Sequence, residues 1–353
     1  MRYPYDAELA AALALLSNVS IEQLEAARLE HDRYFGNAHA HVEGADRLRI
    51  TEAEVPEGAH GPALGVRVFT PYLLEAPSPA VLFIHSGGFV LGSINSEHGF
   101  AAAAALDAEA VVVSVEYRLA PEHRYPAAVD DCYAAFLWMV ENAAELGIDP
   151  ERIALTGSSA GGGLAAAVAL MARDRGGPCP CFQLLNMPVL DDRLETPSML
   201  AFTDTPGWSR ESAVLSWRYY LGPVVSDVPY YAAPARAPDL SALPPAYIAT
   251  AEFDPLRDEG LLYGLRLLQA GVSVEIHNFP RTFHASDVIQ SAEISQRQVA
   301  QNHAALSRGL RRPRPTVAPD WTSVAADFFP DNARPQPNAT HSPGTDTLPH
   351  VST

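Results

Sequence analysis

Lysine is entirely absent from the 353-residue sequence, so all 24 positively charged side chains are arginines. This absence excludes the reactions that depend on a lysine amine. The chain can form no Schiff base with pyridoxal phosphate, has no phosphate-binding lysine of a P-loop, and cannot build a Ser-Lys catalytic pair. Nucleophilic chemistry in this protein must therefore depend on other side chains.

Cysteine is also scarce, with Cys132, Cys179 and Cys181 as the three examples in the sequence. Their number is odd, and the one close pair has C-x-C spacing across Pro180. Neither a disulfide framework nor a four-ligand zinc site follows from this pattern. The cysteine content favours a reducing compartment, and we predict a cytoplasmic location.

Positive charge is scarce relative to negative charge. The 24 arginines face 42 acidic residues, which gives a formal net charge of −18. Nucleic acids and anionic membranes bind clustered cations, so we expect neither as a partner. The apolar run of residues 9–16 follows Asp6 and Glu8 rather than a basic segment, and therefore predicts an amphipathic helix rather than a signal peptide.

Short β-branched runs alternate with alanine-rich helical segments from residue 66 onward. This alternation predicts an α/β fold with a mostly parallel central sheet and helices on both faces. The expected strands are Val66 to Thr70, Ala80 to His85, Ala110 to Glu116, Arg152 to Thr156, Cys181 to Asn186, Ala246 to Ala251 and Val272 to Phe279. The expected helices are residues 96–107, 126–145, 160–174 and 256–270.

Two segments interrupt this alternation and are predicted to form a cap over the sheet. Residues 1–50 contain a helical pattern before any strand, and residues 191–231 are rich in aromatic side chains without a clear strand. A long surface loop is the alternative for the second segment, although such loops are uncommon unless functional. The α/β core then comprises residues 51–190 and 232–312, and the proline-rich residues 313–353 are predicted to be a disordered tail.

The motif Gly157-Ser158-Ser159-Ala160-Gly161 matches G-x-S-x-G and lies between an apolar strand and an alanine-rich helix. In a turn this tight, the central residue adopts a strained backbone conformation, and flanking glycines remove side chains that would clash. The pattern predicts that Ser159 projects its hydroxyl above the sheet as a nucleophile. An ordinary Gly/Ser loop is the structural alternative.

A second glycine-containing loop, His85-Ser86-Gly87-Gly88, follows directly on an apolar strand. Glycines allow backbone N–H groups to approach a developing oxyanion closely. We expect Gly87 and Gly88 to form an oxyanion hole together with the N–H of Ala160, which follows the nucleophile. Taken alone, the loop is also compatible with a plain turn.

A serine nucleophile needs a histidine base and an acid that orients it. His277 lies in an alternating strand pattern and is expected to be a strand residue, whereas His284 lies beyond Pro280 in a predicted loop. Asp254 follows a predicted strand directly and precedes Pro255. The chain order Ser159, Asp254, His284 is that of the α/β-hydrolase fold.

Four motifs together resemble the bacterial hormone-sensitive-lipase-like esterases of the α/β-hydrolase superfamily. They are Gly157-Ser-Ser-Ala-Gly-Gly162, His85-Ser-Gly-Gly88, Tyr117-Arg-Leu-Ala-Pro-Glu-His123 with Tyr125-Pro-Ala-Ala, and Asp254-Pro-Leu-Arg-Asp-Glu-Gly260. The resemblance covers about residues 5–310. It implies an α/β-hydrolase fold with a helical cap, Ser159 as nucleophile, Asp254 as acid, His284 as base, and Gly87, Gly88 and Ala160 as oxyanion donors.

The sequence departs from this family at four positions. Ser86 and Ser158 replace a glycine and an aspartate, and Arg281 and Ala285 replace glycines on either side of the histidine loop. We expect Ser86 to affect the geometry of the oxyanion loop and Ala285 to narrow the space beside His284. None of the replacements removes a chemically active group.

These observations predict a serine carboxylesterase that hydrolyses short to medium acyl esters of small molecules. The alternatives are a ligand-binding module on the same fold, which the complete set of Ser159, Asp254 and His284 disfavours, and an amidase or lactonase with the same residues. No cofactor is expected, and no metal, because His39 and His41 form an isolated pair. Whether the chain forms a homodimer is left open.

Overall fold

The computed structural model describes residues 3–16, 20–38, 42–58, 61–223 and 227–311. The predicted tail and the His39 and His41 pair lie outside the described residues. Among the described residues, none of the helices combines the length and the apolar content that crossing a lipid bilayer requires.

Eight strands form one sheet in the order β1-β2-β4-β3-β5-β6-β7-β8. Strand β2 is antiparallel to β1 and β4, and all other neighbours are parallel. The strands are β1 Leu48–Val55, β2 Leu64–Pro71, β3 Ser78–Ile84, β4 Val111–Val115, β5 Ile148–Ser158, β6 Phe182–Asn186, β7 Ala246–Phe253 and β8 Val274–Phe283. The predicted α/β-hydrolase fold is confirmed by this mostly parallel sheet.

Ten helices accompany the sheet in the described residues. They are α1 Ala7–Ala12, α2 Leu24–Ala38, α3 His98–Ala108, α4 Ala127–Glu141, α5 Ala143–Leu146, α6 Ala160–Asp174, α7 Pro197–Ala201, α8 Arg210–Leu221, α9 Arg257–Gln269 and α10 Glu293–Arg311. The predicted helix 126–145 is interrupted at Asn142, whose N–H caps the end of α4. Helices α7 and α8 lie in the aromatic segment 191–231; that this segment is a cap stays a prediction.

Helices cover both faces of the sheet. Successive side chains of a strand point to opposite faces, so a single strand contributes to the core on each side. Leu82 and Ile84 of β3 belong to the larger core, which includes residues of α4, α6 and α9. Val81 and Phe83 of the same strand belong to a second core, with residues of α3 and α10. Both faces are thus apolar along the central strands, which explains why these strands appear in the sequence as continuous hydrophobic runs.

Two boundaries differ from the sequence predictions. Strand β1 was not expected, because most of its residues are exposed on both faces and show no apolar alternation. It pairs with β2 over its whole length, and it begins at Leu48, within the segment 1–50 that was predicted to contain the N-terminal helices of the cap. The predicted loop of residues 281–284 starts later than expected: β8 continues to Phe283, which pairs with Phe253 of β7 beyond a bulge, and His284 follows the strand.

Candidate active site

Ser159 lies at the turn between β5 and α6. Its φ of 55° and ψ of −118° place it in a backbone conformation that residues with a side chain rarely adopt. The turn is held by hydrogen bonds: the N–H of Ser159 donates to the carbonyl of Asn186 over 2.8 Å, and its own carbonyl accepts from Val189 over 3.0 Å. Strain of this kind persists where the surroundings determine it, and it commonly marks a functional site.

Glycine is required on both sides of this turn. A Cβ atom on Gly157 would overlap the backbone of Gly161, and a Cβ atom on Gly161 would overlap the carbonyl oxygen of Ile84 in β3. The helix therefore starts closer to the sheet than any residue with a side chain would allow. The two outer glycines of the G-x-S-x-G motif are explained by this close approach.

Ser159, His284 and Asp254 form a continuous chain of hydrogen bonds. Nε2 of His284 lies 3.0 Å from Oγ of Ser159, and Nδ1 of His284 lies 2.7 Å from Oδ2 of Asp254. All three residues are buried. A carboxylate can only accept, so Nδ1 carries the proton of a neutral His284 ring, and Nε2 is left as the acceptor for the serine hydroxyl.

His277, the other histidine considered in the sequence, lies within β8 as predicted. Its ring contacts Gln301 over 3.2 Å and Glu275 over 3.1 Å, away from Ser159. His284 instead follows directly after the last residue of β8. The sequence reasoning that separated the two histidines thus agrees with their placement.

Gly87 and Gly88 follow the end of β3, and Ala160 follows Ser159 in the chain. Gly87 and Gly88 adopt φ values of 113° and 59° and line the same cavity as Ser159 and His284. Ala160 is the first residue of α6, where a backbone N–H has no partner within the helix. The loop that contains Gly87 and Gly88 and the N-terminus of α6 thus follow two neighbouring parallel strands, β3 and β5, at the same edge of the sheet.

The loop of residues 85–88 is held by Glu97 and Ser216, two residues that the sequence did not single out. Ser86 donates hydrogen bonds to Oε1 of Glu97 from its N–H over 2.7 Å and from its hydroxyl over 2.5 Å. The hydroxyl of Ser216 in α8 donates to the carbonyl of Gly88 over 2.7 Å. The serine at position 86 therefore fits the loop, because a buried carboxyl group accepts both of its donors.

His85 begins this loop but is not suited to be a base. Its ring is fully buried and stacks on Tyr117 with a centroid distance of 4.0 Å. Burial lowers the pKa of His85 to about 3, so the ring stays neutral. The hydroxyl of Tyr117 donates to the carbonyl of His85 over 3.0 Å. The stacking and the hydrogen bond between Tyr117 and His85 hold the first residue of the loop in place.

Arg281 and Ala285 occupy positions where the backbone is left-handed, with φ values of 62° and 59°. Glycine adopts such values without cost, which gives a physical reason for the glycines of the resembled family at these positions. The Arg281 side chain has gained contacts of its own. It donates to the carbonyls of Pro4 over 3.2 Å and Tyr5 over 2.9 Å, and so holds the first described residues against β8.

A cavity of about 220 Å³ opens onto Ser159 and His284. Most of its surface is apolar, with aromatic side chains Tyr34, Phe35 and Phe100 on one part and Trp208 beside His284 on another. In the described part of the chain, no group of three or more His, Cys, Asp or Glu side chains has the arrangement of a metal site. The cavity can enclose a small, largely apolar molecule next to the serine hydroxyl.

Comparison with known proteins identifies the family. The model of a family described as "alpha/beta hydrolase fold" matches residues 81–287. "Carboxylesterase NlhH" of Mycobacterium tuberculosis is 48% identical over 243 residues, 67% of this chain and 75% of the relative. "Esterase LipI" of the same organism is 43% identical over 240 residues, 67% of this chain and 74% of the relative.

Solved structures agree with these relatives. The structure titled "Bacterial Heroin Esterase" superposes with a TM-score of 0.85 at 49% identity and covers 88% of this chain and 99% of that chain. Esterase LipW of Mycobacterium marinum superposes with a TM-score of 0.80 at 38% identity and covers 88% of this chain and 97% of that chain. The chain belongs to the bacterial hormone-sensitive-lipase-like esterases of the α/β-hydrolase superfamily.

Proposed function

We propose that this carboxylesterase cleaves its substrates with Ser159 as nucleophile, His284 as general base and Asp254 as the acid that orients it. The observation that supports this assignment is the hydrogen-bond chain from Oγ of Ser159 through His284 to Asp254, at 3.0 and 2.7 Å. The N–H groups of Gly87, Gly88 and Ala160 are proposed as the oxyanion hole.

In the first half of the reaction, the Ser159 hydroxyl attacks the ester carbonyl carbon while Nε2 of His284 takes its proton. The carbonyl oxygen becomes negatively charged in the tetrahedral intermediate and accepts hydrogen bonds from the three N–H groups. The intermediate collapses when the C–O bond of the alcohol breaks. His284 returns the proton to the leaving alcohol, and an acyl-enzyme remains.

In the second half, a water molecule takes the place of the alcohol. His284 removes a proton from this water, and the resulting hydroxide attacks the acyl carbon through a second tetrahedral intermediate. Ser159 leaves with the proton from His284, and the carboxylic acid is released. Asp254 holds the ring in the required tautomer and stabilises the imidazolium in both halves. No step of this mechanism calls for a cofactor.

The substrates are proposed to be small-molecule esters with short to medium acyl chains. A mostly apolar cavity of about 220 Å³ next to Ser159 supports this size range. A non-catalytic binding module on the same fold is the alternative from another class, and the complete hydrogen-bonded triad speaks against it. Amide or lactone cleavage uses the same three residues, and an assay panel of esters, lactones and amides separates these activities.

We propose the cytoplasm as the site of action, with neither nucleic acid nor membrane as partner. The net charge of −18 and the free thiols of Cys132 and Cys179 support this proposal. Light scattering of the purified chain distinguishes a monomer from a homodimer.

A fluorophosphonate probe tests the nucleophile directly. We expect one covalent label per chain, on Ser159 in a peptide map, with complete loss of ester hydrolysis. The matched control is Ser158→Ala. In the wild-type protein, the hydroxyl of Ser158 accepts a hydrogen bond from the Asn186 amide over 3.2 Å. This variant should still be labelled. A label on Ser158, or turnover in the fully labelled enzyme, would contradict the assignment.

A further inference from the structure

Two carboxyl groups that the mechanism does not use line the active-site cavity. Glu97 is 3% exposed and Asp287 is 7% exposed, and both lie on the surface of the cavity that contains Ser159. Aspartate and glutamate are almost never buried to this extent unless they are paired. Neither arginine nor lysine occurs among the described residues that line the cavity, so neither carboxyl group faces a permanent positive charge there.

Each carboxyl group accepts hydrogen bonds from a neighbouring polar residue that also lines the cavity. Oε1 of Glu97 accepts both hydrogen bonds from Ser86, and Oδ2 of Asp287 accepts from the Asn186 amide over 2.8 Å. The Asp287 carboxyl group also accepts a hydrogen bond from its own backbone N–H. Burial raises the pKa of both groups, and the charge of Asp287 raises that of Glu97 further. A cation in the cavity would offset the free-energy cost of ionising these buried carboxyl groups.

Other polar atoms of the cavity are without partners among the described residues. Oδ1 of Asn302 and both ring nitrogens of His31 are buried and form no hydrogen bond in the described part of the chain. Both residues line the cavity, and the His31 side chain is 8% exposed. A buried acceptor without a donor is costly, which indicates that a bound molecule supplies the donor. Asn302 therefore points to a ligand independently of the carboxyl groups.

Aromatic rings surround the same space. Tyr34, Phe35 and Phe100 line the cavity, and ring faces attract cations by roughly 0.5–2 kcal/mol. The net charge of −18 also raises the local concentration of positively charged molecules. Carboxyl groups, an unpaired acceptor and aromatic rings together form a suitable environment for an alkylammonium group.

We propose that the cavity selects esters that carry an ammonium group on their acyl or alcohol part, with Glu97 and Asp287 as the residues that determine this specificity. The proposal rests on the proposed hydrolysis at Ser159 and names its substrate class. The cation lies against the carboxyl groups of Glu97 and Asp287, while the ester carbonyl contacts Ser159. Paired in this way, the two carboxyl groups bind as carboxylates.

Matched pairs of substrates measure the contribution of the positive charge. For the alcohol part, 2-(dimethylammonio)ethyl butyrate, whose N–H can donate, is compared with 3-methylbutyl butyrate, in which carbon replaces the charged nitrogen. For the acyl part, the ethyl esters of 4-(dimethylammonio)butyrate and 5-methylhexanoate form the corresponding pair. We expect kcat/KM of the wild-type enzyme to be at least about tenfold higher for the charged member of at least one pair.

Neutral variants assign the effect to the two residues. Glu97→Gln keeps an oxygen that accepts from Ser86, and Asp287→Asn keeps one that accepts from Asn186, so both variants remove charge with little change in hydrogen bonding. Each should lower the preference for the charged ester at least about fivefold, mainly through KM. Glu145→Gln removes one charge at an exposed position on α5 and should leave the preference unchanged.

Hydrolysis of p-nitrophenyl butyrate by the wild-type enzyme is the reference that separates the two proposals. If the wild-type enzyme hydrolyses none of the tested esters, the proposed function is contradicted. The wild-type enzyme could hydrolyse the reference ester and yet show, in both pairs, a kcat/KM for the charged ester that is equal to or lower than that for its carbon analogue. This result overturns the ammonium specificity and leaves the proposed function in place. If the preference for the charged ester is unchanged in both Glu97→Gln and Asp287→Asn, the assignment to these residues is overturned. The comparison in the wild-type enzyme does not depend on whether a variant folds.

Discussion

Asp254 and Asp258 lie four residues apart, yet their carboxyl groups serve different partners. Oδ2 of Asp254 lies 2.7 Å from Nδ1 of His284, whereas the Asp258 carboxylate accepts from the N–H of Ser198 over 2.7 Å and from Arg257 over 2.8 Å. Asp258 belongs to the first turn of α9, and Asp254 precedes that helix. Asp258 is therefore already occupied and does not face the imidazole.

Asp254→Asn should lower kcat about 10⁴-fold, because an amide can stabilise the wrong tautomer of His284 and leaves no acceptor at the serine. Asp258→Asn is the matched control and should retain kcat within about threefold, since it alters only contacts to Ser198 and Arg257. Steady-state hydrolysis of a p-nitrophenyl ester measures both. Comparable losses in the two variants would show that the acid has been assigned to the wrong residue.

Ser159→Ala and His284→Ala should each lower kcat by about 10⁶-fold, and the double variant should lose little more. The reason is that the hydroxyl is a useful nucleophile only when Nε2 accepts its proton, so removal of either group disables the same step. Single-turnover assays with concentrated enzyme measure the residual rates. Losses that multiply in the double variant would mean that the two residues act independently.

The enzyme should prefer acyl chains of about eight carbons or fewer. Each methylene that enters the apolar cavity contributes about 0.8 kcal/mol, so kcat/KM rises along the series until the cavity is full and then falls. A series of p-nitrophenyl esters from two to fourteen carbons measures this profile. Hydrolysis of emulsified long-chain triglyceride as fast as of a soluble butyrate ester would refute the prediction.

Ala285→Gly should stabilise the protein, because Ala285 has a φ of 59° and a left-handed backbone costs an alanine about 1 kcal/mol. We expect Tm to rise by about 1–2 °C in thermal unfolding, because the shift per kcal/mol decreases with chain length. Ala304→Gly, at an exposed position of α10, is the control and should lower Tm by a similar amount, since its backbone is helical. A decrease in both variants would contradict the strain at residue 285.

Glu259→Gln should increase the free energy of unfolding, and more so at pH 8 than at pH 5. Oε1 of Glu259 accepts from the N–H groups of Leu190 and Asp191, while Oε2 is buried and has no hydrogen-bond partner among the residues that the structure describes. Burial raises the pKa of Glu259 well above the ordinary value. Above the ordinary pKa, the unfolded chain gains by ionising this carboxyl, so wild-type stability falls as pH rises toward the folded-state pKa. Glutamine keeps the acceptor and lacks this loss.

Urea unfolding at the two pH values measures this effect. The exposed Glu145→Gln variant is the control and should show no comparable dependence on pH. A gain for Glu259→Gln that is equal at pH 5 and pH 8, or larger at pH 5, would indicate that Glu259 is ionised in the folded protein.

The sequence alone determined the features that depend on neighbours in the chain. The strand, Gly157, Ser159 and Gly161 form one continuous segment, so local sterics were enough to predict the turn that presents the hydroxyl. The alternation of apolar runs and helices likewise predicted the parallel sheet. Because parallel strands end at one edge of that sheet, Asp254 and His284 could be assigned from their positions after strands.

Tertiary structure decided which polar side chains, distant in sequence, become hydrogen-bond partners around the cavity. Glu97 lies 11 residues from Ser86, and Asp287 lies 101 residues from Asn186, and nothing in the local pattern of either acid indicates its partner. Strand β1 is defined by pairing with β2, because its own residues are mostly exposed. Burial and hydrogen-bond pairing arise only when packing removes a side chain from water. The sequence therefore could not predict that Glu97 and Asp287 line the cavity.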